Sequence, residues 1–161
     1  MKTKYLVLLI SLFCSSLMDA QSSAFNRLFE KYENEDNVTV VNISKAMFNL
    51  IPGNITTGNI DIKNILPKIE SLRILTSDTG SLKEKMTADF KSLIEKDKDY
   101  EELMRIKSGK SNVTFNLKKQ GDMIRELIML VSDEEDFVVM QIMGNFLLDD
   151  IKKIAEEATT Q

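Results

Sequence analysis

The carboxy-terminal half of the chain contains four strand-like runs with no helical segment between them. The runs cover residues 100–107, 112–119, 123–132 and 136–144, and short stretches rich in Gly, Ser and acidic residues separate them. Links this short cannot carry the chain across a sheet, so each strand must lie antiparallel beside its neighbour. The pattern therefore predicts an antiparallel β-meander at the centre of the fold.

The first half of the chain predicts helices that pack on this meander and strands that extend it. Apolar residues recur at helical spacing over residues 23–33 and 81–96, and β-branched runs at 38–43 and 69–76 are typical of strands. We therefore expect an α+β domain, in which an antiparallel β-meander of about four to six strands carries packed helices.

Several shorter features complete the predicted order of elements. Ser81 and Glu84 have the spacing of a capping box and so predict the start of the second long helix. The remaining predictions are a helix that Ser44 caps and that runs through Ile51, a loop at Asn54–Asn59, a helical turn at Ile62–Leu66 before Pro67, and a last helix at 146–157.

The first twenty residues have the composition of a signal peptide. Lys2 and Lys4 precede an apolar run from Tyr5 to Phe13, and Ala20 offers a small residue for cleavage. The apolar run is too short to cross a bilayer permanently. We expect residues 1–20 to be removed and residues 21–161 to form a single domain, exported to the periplasm or the extracellular space.

A lipoprotein is the alternative form of the exported chain. Cys14 would then become the acylated first residue and would anchor the protein to the outer membrane. Bulky Phe13 stands where that processing prefers a small residue. Membrane attachment is therefore expected only if Cys14 is lipidated, and the soluble, cleaved chain is the preferred prediction.

Composition excludes several classes of function. The chain has no histidine and a single cysteine, so histidine-dependent nucleophiles and the usual zinc sites are excluded. Without residues 1–20 it has 19 basic and 24 acidic residues, a balance that disfavours nucleic acid as a partner. We predict no cofactor, no metal site and no assignable catalytic residue.

The two central strands of the predicted meander are apolar on both faces. In the run 123–131, Ile124, Ile128 and Leu130 alternate with Met123, Leu127, Met129 and Val131, and in the run 137–143, Phe137, Val139 and Met143 alternate with Val138, Met140 and Ile142. One interpretation is that helices cover both faces. The other is that one face is partly open and presents a methionine-rich groove, because thioethers adapt to varied apolar surfaces. Its candidate ligand-binding residues are Met123, Met129, Met140 and Met143.

Two polar motifs predict turns. Gly109-Lys110-Ser111 has the ending of a phosphate-binding loop, but it lacks the required earlier glycine, so we predict a hairpin turn. The acidic run Asp133–Asp136 lacks the alternating ligands and central glycine of a calcium loop. A solvated turn is the preferred interpretation.

Four stretches of the chain resemble one known family. They are Phe29–Tyr32, Val40–Phe48, Ser71–Leu75 and the block from Tyr100 to Ile154, and together they are similar to the family called domain of unknown function 4252. The resemblance implies an exported protein typical of Bacteroidota, frequently lipid-anchored and without an assigned activity. It implies no functional residue.

These observations leave two hypotheses for the function. The first is a non-catalytic protein of the cell envelope that binds an apolar ligand or a protein partner through the sheet. The second is an enzyme of unknown substrate that uses carboxylates or a Ser and Lys pair. The first is preferred because the polar residues form no recognisable catalytic constellation.

Overall fold

A computed structural model describes residues 24–50, 56–57, 60–61 and 65–150 of the chain. In chain order its elements are α1 (Ala24–Glu33), β1 (Thr39–Ser44), α2 (Lys45–Leu50), β2 (Thr56–Thr57), β3 (Ile60–Asp61), a 3₁₀ helix (Leu66–Lys68), β4 (Ile69–Ser77), α3 (Gly80–Lys96), β5 (Tyr100–Ser108), β6 (Ser111–Gln120), β7 (Met123–Ser132) and β8 (Phe137–Leu147).

Six strands form one antiparallel sheet in the order β1-β4-β8-β7-β6-β5. The predicted meander is confirmed as β5 to β8, and the two earlier strands extend it beyond β8. Strands β2 and β3 form a separate two-residue hairpin. The α+β class is therefore confirmed, with β1 and β5 at the two edges of the large sheet.

Glycines with positive φ make the two tightest turns of the meander. Gly109 has a φ of 59° and Gly121 a φ of 62°, and each is the first of two residues between paired strand ends. This conformation is strained for residues with a Cβ and suits two-residue hairpins. The hairpin turn predicted at Gly109-Lys110-Ser111 is thus confirmed.

Helices α1 and α3 cover one face of the sheet, here called the helix face. Phe25, Phe29 and Tyr32 of α1 interdigitate with Met86 and Phe90 of α3, and all five are fully or almost fully buried. The predicted apolar stripe of α3 forms this contact. The sheet contributes Leu75, Ile128, Leu130, Phe137 and Val139 to the same cluster.

A second, smaller core lies on the opposite face of the sheet. Phe48 of α2 and Ile65 and Leu66 near the 3₁₀ helix pack there on side chains of the sheet. The sheet residues of this cluster are Ile43, Ile69, Leu72, Leu117, Ile124, Leu127, Ile142 and Phe146. Both faces of the central strands therefore contact hydrophobic side chains, but through different elements.

The start of α3 differs from the prediction. Thr79 occupies the N-cap and makes no side-chain capping bond, and its backbone carbonyl accepts a hydrogen bond from the Lys83 N–H at 2.7 Å. Ser81 therefore lies inside the helix, and the predicted capping box is wrong. The helix starts one residue earlier because Gly80 adopts helical geometry and the Thr79 carbonyl accepts the first helical hydrogen bond.

Three short predictions also need correction. Thr56–Thr57 pairs with β3, so the predicted loop is wrong there. The helical turn spans Leu66–Lys68 and includes Pro67, whose fixed φ suits the first turn of a helix. Phe146 and Leu147 remain in β8 because they pair with β7, and helical residues start only at Leu148. The other parts of these predictions, at 51, 54–55, 58–59, 62–64 and 151–157, lie outside the described residues.

Candidate functional site

The face opposite α1 and α3, here called the apolar face, presents three rows of side chains in strand register. The inner row comprises Leu117, Leu127, Ile142, Leu72 and Ile43; the middle row Met104, Phe115, Met129, Met140, Ile74 and Val41; and the outer row Ile106, Val113, Val131, Val138, Thr76 and Thr39. Each residue of a row is the direct partner of its neighbour on the adjacent strand. An apolar stripe thus crosses the whole sheet.

Only the inner row belongs to a core cluster. The residues that cover it are Phe48, Ile65 and Leu66, and neither cluster formed by the described residues includes any member of the middle or outer row. In the middle row, Met104 is 47% exposed and Val41 39%, and the four members between them are half-buried. The middle and outer rows therefore remain accessible.

The contrast with the helix face is clear within single strands. Ile128 and Val139 on the helix face are at most 1% exposed, whereas their chain neighbours Met129 and Met140 are half-buried. Met129 and Met140 are also direct cross-strand partners. The two methionines form the centre of the accessible stripe.

The four predicted ligand-binding methionines do not lie together. Met143 pairs with Glu126 and lines a hollow that also includes Asn26 of α1, which places it on the helix face. Met123 pairs with Leu147, which alternates with Phe146 of the second core and so also lies on the opposite side. The structure thus does not bring the four methionines together on one face, and only Met129 and Met140 share the apolar face. That any of them binds a ligand stays a prediction.

A β-bulge explains why the predicted faces differ near the start of β7. The register with β8 shifts between Ile124 and Glu126, so residues before the bulge face the opposite way from simple alternation. Ile124 consequently packs in the second core, while Ile128 packs in the first. Alternation read from the sequence cannot detect such a shift.

An acidic hollow adjoins the outer row at the edge where β1, β4 and β8 meet. Its volume is about 300 Å³, and its lining residues are Asn37, Thr39, Thr76, Ser77, Asp78 and Asp136. Thr39 and Thr76 belong to the outer row itself. The apolar face therefore continues directly into a hollow that contains two carboxylates.

The turn between β7 and β8 is held rigidly beside this hollow. The Asp133 carboxylate accepts hydrogen bonds from the backbone N–H groups of Glu135 and Asp136, at 2.8 and 2.7 Å, which lowers the pKa of Asp133. The ammonium of Lys110 pairs with Glu134. These contacts are those of an ordered, solvated turn.

A buried polar network lies on the helix face. The Arg73 guanidinium donates through Nε to Gln141 Oε1 at 2.8 Å and stacks 4.3 Å from the centre of the Phe29 ring. The Gln141 amide donates to one Glu126 oxygen, and the Tyr100 hydroxyl donates to the other at 2.9 Å. Glu126 and Gln141 are 4% and 0% exposed. The network ties four strands together.

The electrostatics of this network suit a structural role. Burial raises the pKa of the Tyr100 hydroxyl well above its ordinary value, and the nearby Glu126 carboxylate adds to the effect. Burial also lowers the pKa of Arg73. Both Glu126 oxygens already accept hydrogen bonds from neighbouring side chains, so this carboxylate is committed to the fold.

No metal-binding constellation occurs among the described residues, where no three His, Cys, Asp or Glu side chains are grouped suitably for an ion. Within the same residues, no helix combines the length and apolarity needed to cross a membrane. The two features that stand out are therefore the accessible apolar rows and the acidic hollow beside them.

The sequence prediction missed most of the apolar stripe. Val41 and Ile74 share the middle row with the two methionines although their strands are distant in sequence, and Phe115 and Met104 join the row through the register of consecutive strands of the meander. The buried network left a partial signal in the sequence, because Arg73 and Gln141 each stand between two apolar residues of a strand.

Comparison with known proteins places the chain in a family. A search of curated proteins found no match. The sequence profile of the family described as Domain of unknown function (DUF4252) matches residues 32–154, a span that includes all six strands of the large sheet. The chain therefore belongs to the DUF4252 family.

Proposed function

We propose that this chain is a non-catalytic protein of the cell envelope that binds a protein partner through the apolar face. The observation that carries the proposal is the middle row, in which six directly paired residues from Met104 to Val41 present an uninterrupted apolar stripe. Accessible apolar patches of this extent mark interaction surfaces more often than they mark ordinary solvent-facing surface.

The shape of the apolar face favours a protein over a small apolar ligand. Small-molecule sites enclose most of the ligand surface in a concave pocket. Side chains that stand in register on six strands instead form a broad surface that contacts its ligand from one side only. Such a surface matches the apolar side of a helix, as the packing of α1 and α3 on the helix face illustrates.

The buried polar network also supports binding over catalysis. Glu126 is the most buried acidic side chain of the described residues, yet its oxygens are occupied by Gln141 and Tyr100. A general acid or base must reach a substrate. Glu126 therefore does not supply a general acid or base for the alternative function, an enzyme that uses carboxylates or a Ser and Lys pair.

We place this binding function outside the cytoplasm. The basic and apolar leader of residues 1–20 supports export of the mature chain 21–161 to the periplasm or the extracellular space. The family resemblance, typical of Bacteroidota, supports the same location. Acylation of Cys14 would give an outer-membrane lipoprotein, and the intact mass of the native protein distinguishes the two forms.

The experiment is affinity capture from envelope extract with the immobilised mature protein, followed by mass analysis of bound proteins and lipids. Met129→Asp and Met140→Asp should each reduce capture of a specific protein about tenfold, because a buried, unpaired carboxylate is costly at the centre of an interface. Met104→Asp serves as a further variant that the fold tolerates, since Met104 is 47% exposed on an edge strand.

The matched control is Met123→Asp, which changes a half-buried methionine of β7 that does not lie on the apolar face. Circular dichroism and urea unfolding establish that each variant is folded. Capture that is unchanged in folded Met104→Asp and Met140→Asp proteins would refute the proposal, and so would recovery of a lipid alone. If Met129→Asp and Met140→Asp fail to fold while Met104→Asp captures the partner as the parent does, the two central methionines serve only as core residues.

A further inference from the structure

We infer that the partner presents a basic amphipathic helix, whose apolar side lies on the middle and outer rows and whose Lys or Arg side chain enters the acidic hollow. The inference rests on the proposed function and specifies the chemistry of the partner. It follows from the continuity between the apolar face and the hollow, and from the charges that surround them.

The hollow is a direct extension of the apolar face. Thr39, Thr76 and Val138 are neighbours in the outer row. Asn37, Asp78 and Asp136 lie just beyond the ends of these three strands, two residues along the chain from Thr39, Thr76 and Val138, and they line the hollow. A partner helix that packs on the middle and outer rows therefore places the residues beside its apolar stripe near the carboxylates of Asp78 and Asp136.

The carboxylates of the hollow are available to a cation. In the described part of the chain, neither Asp78 nor Asp136 has a Lys or Arg nitrogen within the 4.0 Å of an ion pair. The nearby cations are engaged elsewhere, since Lys110 pairs with Glu134 and Lys83 donates to the Glu134 backbone carbonyl. The turn that carries Asp136 adds three further carboxylates, those of Asp133, Glu134 and Glu135, of which Glu134 pairs with Lys110.

The polar atoms that line the hollow suit an ammonium or guanidinium group better than a metal ion. Two carboxylates with two threonine hydroxyls and an asparagine amide give a cationic side chain several acceptors. A dedicated calcium site needs six to eight oxygen ligands at short range, and among the described residues no three acidic side chains are grouped so that they could hold an ion.

The dimensions of the apolar face match one helix. Neighbouring strands lie about 4.8 Å apart, so the stripe from β1 to β5 is about 24 Å long, and the two accessible rows are about 7 Å apart. A helix of about 16 residues has that length, and its apolar side has that width. The partner surface is therefore of the size of a single helix.

The test uses two designed fluorescent peptides of 18 residues, each with the same Leu and Phe stripe at helical spacing. One carries Lys on both flanks of the stripe and the other carries Glu at the same positions. Fluorescence anisotropy at low salt should show that the Lys peptide binds the mature protein at least tenfold more tightly than the Glu peptide. Added salt should reduce this difference.

Variants separate the charge from the apolar contact. Asp78→Asn with Asp136→Asn should reduce the preference for the Lys peptide to about threefold or less. The control, Glu30→Gln with Glu84→Gln, removes two exposed carboxylates of α1 and α3, away from the apolar face, and should leave the preference unchanged. Met140→Asp should weaken binding of both peptides.

The outcomes distinguish this inference from the proposed function. If the Lys and Glu peptides bind equally well and Met140→Asp abolishes the binding of both, the partner need not be basic, and the apolar face remains a docking site. If Met140→Asp and Met104→Asp leave binding of the Lys peptide unchanged, both the inference and the proposed function are refuted. A preference for Lys that survives in the double Asn variant would overturn the role of the hollow.

Discussion

Glu126 illustrates how one buried side chain holds several strands together. Its oxygens accept hydrogen bonds from Gln141 on β8 and from Tyr100 on β5, and Gln141 in turn accepts from Arg73 on β4. A carboxylate with satisfied oxygens and a guanidinium nearby is tolerated in a protein interior, whereas a partly satisfied group is costly.

Glu126→Gln should lower the free energy of unfolding by about 1–3 kcal/mol, because an amide has one acceptor oxygen, so Gln141 and Tyr100 can no longer donate to separate oxygens, and because Arg73 loses a nearby negative charge. Urea unfolding of the mature protein measures the change. The control is Glu135→Gln in the exposed turn, which should change stability by less than about 0.5 kcal/mol. Equal stabilities for the two variants would mean that the network contributes nothing.

The tyrosines should produce a loss of stability at alkaline pH. Burial raises the pKa of Tyr100 and of Tyr32 above the ordinary value of 10.0. A raised folded-state pKa contributes stability that is complete below the unfolded pKa and is lost as the pH rises above it. The free energy of unfolding should therefore fall as the pH rises beyond 10.

Tyr100→Phe provides the comparison for this alkaline loss. The variant should be less stable than the parent at pH 8, and its stability should decline less steeply between pH 9.5 and 11. Absorbance titration of the folded parent should show that neither tyrosine of residues 21–161 ionises with an ordinary midpoint. A normal tyrosine titration in the folded protein would contradict the buried placement of Tyr100.

At the scale of elements, Gly144 fixes how closely the 3₁₀ helix approaches β8. A Cβ at this position would overlap the Lys68 carbonyl oxygen and lie 2.5 Å from the Phe146 ring. The contact is with backbone, so it cannot be relieved by a change of rotamer alone. The β4 strand also has its register shift here, between Ile69 and Ser71.

Gly144→Ala should therefore destabilise the protein by about 2 kcal/mol or more through overpacking. Gly80→Ala is the matched control, because nothing lies within 4 Å of its added Cβ and its φ is not positive. Gly80→Ala should leave stability unchanged or raise it slightly, since Ala favours the helix. Thermal unfolding of the two variants measures the difference, and similar melting temperatures would contradict the close approach.

The elements differ in how far the sequence predicts them. The strands of the meander were predicted within a few residues, because short turns with Gly109 and Gly121 allow only antiparallel neighbours. Helix ends were less predictable, as the absent capping box at Ser81 shows. The bulge in β7 left no local signal, since it depends on how Ile124 and Glu126 meet the partner strand.

At the scale of the whole molecule, the candidate site depends on contacts that are distant in sequence. The sequence indicates that Met129 and Met140 lie on apolar strands, but only the order of strands brings Ile74 and Val41 beside them. The same order brings Asp78 and Asp136 to one hollow. The sequence therefore predicted two methionines of the site, but neither the rest of the row nor the hollow.

The described helices cover the helix face of the sheet fully and the apolar face only in part. The helix face is completed by α1 and α3, whereas α2 and the 3₁₀ helix reach only the inner row of the apolar face. A helix from a partner would complete the second layer and give an arrangement with helices on both sides of the sheet. This asymmetry is the central structural feature of the chain.

Docking on the apolar face is tested most directly by methionine-methyl NMR: the mature protein is labelled with ¹³C at the methionine methyl groups and titrated with the Lys peptide. Single Met→Leu variants assign the signals. A helix bound on the apolar face should shift the signals of Met104, Met129 and Met140 and leave those of Met123, Met143 and the fully buried Met86 unchanged. Shifts confined to Met123 and Met143 would contradict this docking, because the peptide would then occupy the helix face.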